Sequence, residues 1–269
     1  MNKLGLICGM GELPKVIASE ARSQGYTVIA VALEPLADKT LSSYVDEITW
    51  VNVGKFGKII NSLKQNGIKE AVMAGKVSKS LLYKSKIKPD LRAVTLLLSL
   101  KDRSDDSILI AITKEMEREG INLLDITRFS SGILTPEGVL TEDRPTEEEW
   151  KDIAFGWRIA KEIGRLDIGQ TVVVKNQAVM ALEAIEGTDE AIKRGGKLAG
   201  SGSVVVKVSK PNQDMRFDVP VVGLNTIGAM LEVGARVLSV ESKKSIILNR
   251  EQIIEEAKKA GISIVGYSG

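Results

Sequence analysis

The sequence contains no histidine, and Cys8 is the only cysteine among its 269 residues. Without imidazole, a Ser-His-Asp triad, a Cys-His pair and a histidine-ligated zinc or two-metal centre are all excluded. Any hydrolytic chemistry must therefore use carboxylates, lysine or hydroxyl groups. A hard, oxygen-preferring cation such as magnesium is the natural assistant for such groups.

The single cysteine, the short apolar runs and the small net charge predict the compartment and limit the partners. One cysteine cannot form an intramolecular disulfide, which agrees with a reducing compartment. No apolar run reaches the roughly 18 to 20 residues that cross a bilayer, and the chain starts with a strand-like segment, so we expect a cytoplasmic protein. A net charge of +2, from 37 basic and 35 acidic residues, argues against nucleic acid as a partner.

Strand-like and helix-like segments alternate along the chain, which favours the α/β class in both halves. We predict a Rossmann-like first domain with a mainly parallel sheet over residues 1–130, a linker over 131–144, and a smaller mixed-sheet α/β domain over 145–269. Capping patterns predict three helix starts in the second domain. They are a capping box of Thr146 and Glu149, a cap at Thr188, and a capping box of Asn249 and Gln252.

The first domain opens as a βαβ unit with glycines at its first turn, in the sequence GMGELP. Gly9 and Gly11 are candidate phosphate or nucleotide contacts, because backbone N–H groups at a helix start can meet phosphate. Glu34 stands where a dinucleotide-binding fold has its ribose-binding acid, but Pro14 replaces the third glycine of that fingerprint. Dinucleotide binding and a purely structural glycine turn both remain open.

Two basic residues further along the first domain are candidate phosphate ligands. Lys76 follows a predicted strand, at the edge of a parallel sheet where ligands usually bind, although the glycine spacing of a Walker loop is missing. Arg103 lies in DRSDDSIL beside Asp105 and Asp106, a group that could bind a phosphate and a cation together. The structural alternatives are a solvated lysine-rich loop at Lys76 and plain helix capping by Ser104.

The stretch KPNQDMRFDVPVVGLNT, residues 210–226, contains two prolines, Pro211 and Pro220, which favour a strand or a taut loop over a helix. In strand geometry Asp214, Arg216 and Asp218 share one face, and Met215, Phe217 and Val219 share the other. The charged row would then suit a metal and a phosphate. A half-buried edge strand whose charges are merely solvated is the alternative.

Several joined motifs resemble the LpxI-type UDP-2,3-diacylglucosamine pyrophosphatases. They are GRLDIGQTVVVKNQAVMALEAIEGTDE and VVVKVSKPNQDMRFDVPVVGLNT in the second half, with GLICGMGELP, DRSDDSIL and EGINLLDIT in the first. The resemblance implies two α/β-containing domains that hold a lipid nucleotide at their junction. It also implies metal-assisted hydrolysis of UDP-2,3-diacylglucosamine to lipid X and UMP, a step of lipid A synthesis in Gram-negative bacteria, with water attacking the β-phosphorus.

In that family the decisive acid belongs to the QDMRFD motif, so we assign catalysis to Asp214 and Asp218, with Arg216 supporting a phosphoryl oxygen. The same two carboxylates would hold Mg²⁺ or another divalent cation. The proposed substrate-binding residues are Gly9, Gly11, Lys76, Arg103, Gln213, Thr188 and Asp189. For Asp189 a helix-capping charge is the alternative, and for Arg216 an ion pair with a neighbouring acid.

The implied partners are UDP-2,3-diacylglucosamine and lipid X, with peripheral contact to the inner membrane because the substrate is a lipid. The sequence leaves the oligomeric state open, with a homodimer as one candidate. Two other functions compete. An NAD-dependent oxidoreductase would use the glycine turn and Glu34, and a non-catalytic sensor would bind nucleotide sugars without turning them over.

Overall fold

The computed structural model describes residues 2–77, 89–100, 105–130, 132–217 and 219–269. The chain forms two compact units of nearly equal length. The first unit comprises Met1–Ser130 with Met215–Phe217, and the second comprises Ser131–Asp214 with Asp218–Gly269. The short excursion at Met215–Phe217 falls within the QDMRFD motif.

The first unit is built on a parallel sheet with strand order β3-β2-β1-β4-β5. Its strands are β1 (Lys3–Cys8), β2 (Thr27–Glu34), β3 (Glu47–Asn52), β4 (Glu70–Ala74) and β5 (Asn122–Leu123). Its helices are α1 (Leu13–Ser23), α2 (Phe56–Gln65), α3 (Leu91–Leu98) and α4 (Asp105–Arg118). The central strands β1 and β2 are almost wholly buried, as expected for a parallel sheet covered on both faces.

Helix α2 shows why this sequence packs on the sheet. Phe56, Ile59, Ile60 and Leu63 recur at helical spacing and are all buried. They join a core cluster with sheet residues such as Ile29. The predicted Rossmann-like, mainly parallel first domain is confirmed.

The second unit has a mixed sheet with strand order β6-β13-β11-β9-β7-β8 and a separate ladder of β10 with β12. The strands are β6 (Gly138–Val139), β7 (Thr171–Lys175), β8 (Ala178–Leu182), β9 (Val204–Lys207), β10 (Val221–Val222), β11 (Val237–Glu241), β12 (Ile246–Ile247) and β13 (Ser263–Tyr267). The helices are α5 (Glu147–Arg165), α6 (Thr188–Ala199), α7 (Leu224–Val233) and α8 (Arg250–Lys259). Strands β9, β11 and β13 are parallel, whereas β7 runs antiparallel to β8 and β9. The predicted mixed α/β sheet is confirmed.

Two core clusters cover opposite faces of this sheet. Alternate residues of β9 divide between them, with Val205 packing on the side of α6, α7 and α8, and Val204 and Val206 packing on the side of α5. Strand β6 pairs with β13, so Gly138–Val139, inside the segment predicted as a linker, belongs to the second sheet.

The three predicted helix starts have different outcomes. The capping box of Thr146 and Glu149 is present at the start of α5. Thr188 does not cap α6, because Gly187 occupies the cap position and Thr188 is the first helical residue. Asn249 caps α8 in a left-handed conformation with φ 51° and without a side-chain hydrogen bond, so the predicted box with Gln252 is wrong. None of the helices in the described ranges is long and apolar enough to cross a membrane.

Candidate active site

Three buried charged residues lie at one edge of the large sheet of the second unit. Glu183 follows β8, Lys207 ends β9 and Glu241 ends β11. The three strands run in the same direction, because β7 is antiparallel to β8 and β9 while β11 is parallel to β9. These residues are 8%, 6% and 4% exposed, respectively. Charges buried this deeply need partners, and each of the three has them.

Lys207 organises the edge on the α6 side of the sheet. Its ammonium donates to the Thr188 hydroxyl at 3.0 Å and to the Val221 carbonyl at 3.1 Å. The Thr188 hydroxyl in turn donates to Glu183 Oε1 at 2.9 Å. Lys207, Thr188 and Glu183 therefore form a continuous network that joins β9, β8, the start of α6 and β10.

Glu241 organises the edge on the α5 side. Its Oε2 accepts from Lys161 Nζ at 2.5 Å and from the Ser209 N–H at 2.8 Å. Lys161 also donates to the Ser209 carbonyl at 2.9 Å. The ion pair of Lys161 and Glu241 thus binds both main-chain polar groups of Ser209.

The QDMRFD loop, which we define as residues 209–220, begins at that anchor. Its first turn is closed by a hydrogen bond from the Gln213 N–H to the Lys210 carbonyl at 3.0 Å. The side-chain oxygen of Gln213 accepts from the Ser209 hydroxyl at 3.0 Å and from the Lys210 N–H at 2.8 Å. Gln213 therefore shapes the backbone that leads directly into Asp214.

The next three residues of the loop pack in the first unit. The Met215 carbonyl accepts from the Ile126 N–H at 3.2 Å. Arg216 lies 3.6 Å from the Glu117 carboxylate and 5.4 Å from the Phe217 ring centroid. The structure thus contains an ion pair of Arg216 with an acid, which was the alternative to a phosphate contact.

The QDMRFD loop forms turns. A strand and a taut loop were the two predictions for this stretch. Lys210 to Phe217 adopt turns or irregular backbone, so the alternating rows assumed for a strand are wrong. Asp214 belongs to the second unit and Arg216 to the first. Proline blocks a helix here, as predicted, but local sequence does not tell a loop from a strand when distant backbone groups supply the hydrogen bonds. Asp218 lies outside the described residues.

The two candidates on α6 have clear local partners. Thr188 lies between Lys207 and Glu183, as described above. Asp189 Oδ1 accepts from the Thr226 hydroxyl at 3.1 Å, which ties the first turn of α6 to the first turn of α7. Asp189 therefore joins two helix starts and also places a negative charge at the favourable end of the α6 dipole.

The glycine turn of the first unit brings three more candidates close together. Met10 and Lys76 exchange backbone hydrogen bonds of 2.9 Å in both directions, and the Gly9 N–H donates to the Ala74 carbonyl at 2.8 Å. A Cβ at Gly9 would lie 2.7 Å from the Lys76 carbonyl oxygen. Gly11, at φ +104°, has open space where a Cβ would be. The backbone after β1 therefore has open space beside it at Gly11, whereas the Gly9 N–H and the N–H and C=O groups of Met10 and Lys76 are already hydrogen-bonded.

Charged groups around this turn are paired. Lys15 on α1 binds Asp38 at 2.8 Å and Glu12 at 3.0 Å. The Lys15 hydrogen bond, helped by the backbone and hydroxyl of Thr40, lowers the pKa of Asp38 to about 2. Burial raises the pKa of the Cys8 thiol well above its usual range, so this cysteine is not a thiolate nucleophile.

The fit of a divalent cation depends on carboxylates that are only partly described. Arg103, Asp218 and the side chains of Asp105 and Asp106 lie outside the part of the chain that the structure describes. Among the residues that the structure describes, no group of three or more carboxylate, histidine or cysteine side chains is arranged to hold a metal. Mg²⁺ needs only one or two protein carboxylates when phosphates and waters complete its shell.

Sequence reasoning missed Lys207, Glu183, Glu241 and Lys161. A signal existed for Lys207 and Glu241, because each is a charged residue directly joined to a buried apolar run, VVVK and VLSVE. Charged residues are almost never fully buried without a partner. The partners come from other elements, however, so the network itself could not be read from the sequence.

Solved structures resemble the chain only distantly. They include phosphoribosylglycinamide synthetase from Anaerococcus prevotii, at 14% identity and a TM-score of 0.27, covering 65% of this chain and 32% of that one. They also include N5-carboxyaminoimidazole ribonucleotide synthetase from Thermotoga maritima, at 18% identity and a TM-score of 0.25, covering 69% and 42%. This chain thus spans less than half the length of either structure.

Two family domain models and a relative of known name match nearly the whole chain. The LpxI N-terminal domain model matches residues 3–133, and the LpxI C-terminal domain model matches residues 136–265. A curated relative, the UDP-2,3-diacylglucosamine pyrophosphatase LpxI of Caulobacter vibrioides, is 33% identical over 277 residues, covering 99% of this chain and 98% of the relative. The resemblance drawn from the motifs is confirmed, and the chain belongs to the LpxI family.

Proposed function

We propose that the chain is an enzyme that hydrolyses UDP-2,3-diacylglucosamine to lipid X, which is 2,3-diacylglucosamine 1-phosphate, and UMP. The observation that carries the proposal is the end-to-end match to the LpxI domain models, together with 33% identity to the Caulobacter pyrophosphatase. The absence of histidine is compatible with this chemistry, because hydrolysis of a phosphoric anhydride can use carboxylates and a cation.

Asp214 and Asp218 carry the chemistry in this proposal. One carboxylate orients a water for attack on the β-phosphorus and takes up its proton. The bond from the β-phosphorus to the bridging oxygen breaks, so the water oxygen ends in lipid X and UMP leaves. The same carboxylates would hold a divalent cation, which would neutralise pyrophosphate charge as it develops.

Other residues bind and orient the substrate. Arg216 would contact a phosphoryl oxygen by exchanging its ion pair with Glu117, a half-exposed pair at 3.6 Å that costs little to break. Gln213 sets the backbone before Asp214, and Thr188 and Asp189 stabilise the start of α6. In the first unit, the glycine turn of Gly9 and Gly11 would lie against phosphate or nucleotide, with Lys76 supplying an ammonium and Arg103 a guanidinium.

An exposed apolar row on α3 supports peripheral contact with a membrane, in keeping with a lipid substrate. Leu91 and Leu98 are 83% and 78% exposed and share a helix face with the exposed Val94. The opposite side of α3 packs Ala93 and Leu96 on the first-unit core. Cosedimentation of the protein with anionic lipid vesicles tests this contact, and sedimentation of the protein alone tests whether it forms a homodimer, which the sequence leaves open.

The decisive experiment is incubation of the purified chain with UDP-2,3-diacylglucosamine and Mg²⁺. The proposal expects UMP and lipid X, with loss of activity after chelation and recovery when the cation is restored. Hydrolysis in ¹⁸O-labelled water should place the label in lipid X. Binding of the nucleotide sugar without turnover would instead support a non-catalytic sensor and overturn the enzymatic assignment.

A further inference from the structure

Ser209, at the start of the QDMRFD loop, is bound by the buried ion pair of Lys161 and Glu241, which the packing of a loop alone does not require. Glu241 is 4% exposed and Ser209 is 3% exposed, so both lie in the interior of the second unit. A buried carboxylate is costly unless ionic and hydrogen-bonding partners surround it. The N–H and C=O groups of Ser209 could instead bond to a neutral carbonyl and a neutral N–H, as they would in an ordinary strand.

The partners of Glu241 are arranged around one residue. Its Oε2 accepts from the Ser209 N–H at 2.8 Å and from Lys161 Nζ at 2.5 Å, while Lys161 donates to the Ser209 carbonyl at 2.9 Å. Lys161 itself is restrained by the Trp157 ring, whose centroid lies 5.0 Å from Nζ. Charge-assisted hydrogen bonds are stronger than neutral ones, so Ser209 is held on both sides of its Cα.

The restraint continues along the chain to the candidate catalytic acid. The Ser209 hydroxyl donates to Gln213 Oε1 at 3.0 Å, and the same oxygen accepts from the Lys210 N–H at 2.8 Å. Gln213 directly precedes Asp214. Hydrogen bonds therefore connect the buried ion pair to the residue next to that acid, and every group in this connection belongs to the second unit.

We propose that Glu241 and Lys161 are positioning residues, which fix the Asp214 carboxylate for catalysis by holding Ser209 and the turn that follows it. This inference rests on the proposed function of Asp214. A displacement of about 1 Å at a reacting group can cost a hundredfold in rate, so the anchor should affect turnover more than substrate affinity.

The test compares Glu241→Gln and Glu241→Ala with a control at the same carboxylate. Lys244→Ala removes an exposed lysine that lies 3.2 Å from Glu241 Oε1, and it leaves Ser209 and Lys161 in place. We expect kcat to fall about tenfold in Glu241→Gln and about a hundredfold in Glu241→Ala, with KM changing less than about threefold. Lys244→Ala should keep the wild-type kcat.

Glu241→Gln keeps the size of the side chain, and its thermal unfolding shows whether the protein used in the assay is folded. A folded Glu241→Gln with kcat within twofold of wild type would overturn the inference, as would an equal loss in Lys244→Ala. A rise in KM at constant kcat would also overturn it, because that pattern marks lost binding.

Asp214→Ala, assayed in parallel, separates this inference from the proposed function. If wild type hydrolyses the substrate and Asp214→Ala does not, a normal Glu241→Gln rejects only the positioning role. If wild type fails to hydrolyse UDP-2,3-diacylglucosamine, the proposed function fails and the positioning role fails with it. If wild type hydrolyses the substrate and Asp214→Ala retains its rate, the proposed activity stands, and the positioning role fails because Asp214 is not the catalytic acid.

Discussion

The two units present their candidate functional groups in different ways. At the carboxyl ends of β1 and β4 in the first unit, Gly9 and Gly75 bring two main-chain segments so close that a side chain at either position would collide with the other segment. At the carboxyl ends of β8, β9 and β11 in the second unit, the groups are buried charged side chains, Glu183, Lys207 and Glu241. The first edge is thus built from closely packed main chain, and the second from a network of buried charged side chains.

This difference has a physical consequence for how each edge responds to mutation. Substitutions other than proline leave the main-chain N–H and C=O groups in place, so the first edge is sensitive chiefly to added volume. Buried charges depend on their partners, so the second edge is sensitive to loss of a single group. One charge cluster of the first unit lies nearer its surface, with Lys64 on α2, Arg92 on α3, Glu115 on α4 and Glu119 just beyond α4.

The largest expected effect comes from removing a side chain on the loop of the second unit. Asp214→Asn should lower kcat by about 10²- to 10⁴-fold, because a positioned base or cation ligand is lost while the shape is kept. Release of UMP under saturating substrate measures this, and circular dichroism checks the fold. Near-normal turnover in both this variant and Asp218→Asn would show that the QDMRFD loop does not carry the catalytic acid.

A smaller effect is expected from adding volume to the backbone edge of the first unit. An alanine Cβ at Gly75 would lie 2.8 Å from the Gly9 carbonyl carbon at φ +90°. Backbone strain should cost roughly 1 to 2 kcal/mol, and the overpacking about 1 to 3 kcal/mol more. Gly11→Ala is the control, because it has similar strain at φ +104° but open space. Hydrogen exchange of first-unit peptides should show Gly75→Ala as the less stable protein.

Alanine substitutions at two helix glycines of the second unit, Gly196 and Gly228, should change stability in opposite directions. At Gly196 in α6 a Cβ would lie 2.2 Å from Val233 of α7, so Gly196→Ala should destabilise despite a helix-propensity gain of about 1 kcal/mol. At Gly228 in α7 an added Cβ would have no described neighbour within 4 Å outside its own stretch of helix, so Gly228→Ala should stabilise by about 0.5 to 1 kcal/mol. Urea unfolding measures both, and equal shifts would contradict the packing that separates them.

The smallest expected effect is a loss of first-unit stability at low pH, caused by protonation in the cluster of Lys64, Arg92, Glu115 and Glu119. Hydrogen bonds from Arg92 and then Lys64 lower the pKa of Glu119 from 4.5 to about 2. Because the folded pKa is the lower one, this stabilisation is present above pH 4.5 and is lost as the pH falls towards 2. Glu119→Gln should therefore flatten the acid-side pH dependence of first-unit hydrogen exchange. High salt should weaken the effect in wild type, since the cluster is partly exposed.

Patterns local in sequence predicted the parts of the fold that local physics controls. The parallel first sheet followed from apolar runs separated by helices, and the Thr146 cap followed from the Glu149 side chain three residues on. Thr188 fits the same capping rule but does not cap, because Gly187 takes the cap position and the Thr188 hydroxyl binds Lys207 and Glu183 instead. The QDMRFD loop was recognised as a candidate site, but its strand geometry was wrong because the bond from Ile126 to Met215 is long-range.

The sequence by itself determined the class of the protein and the available chemistry. Alternating strands and helices indicated an α/β fold, the lack of histidine left carboxylates and lysines for catalysis, and the joined motifs identified the LpxI family. Only the tertiary structure decided which charges are buried and what holds them. Lys161, Ser209 and Glu241 are separated by 48 and 32 residues along the chain, and they meet because parallel strands end at the same edge of a sheet on which α5 packs.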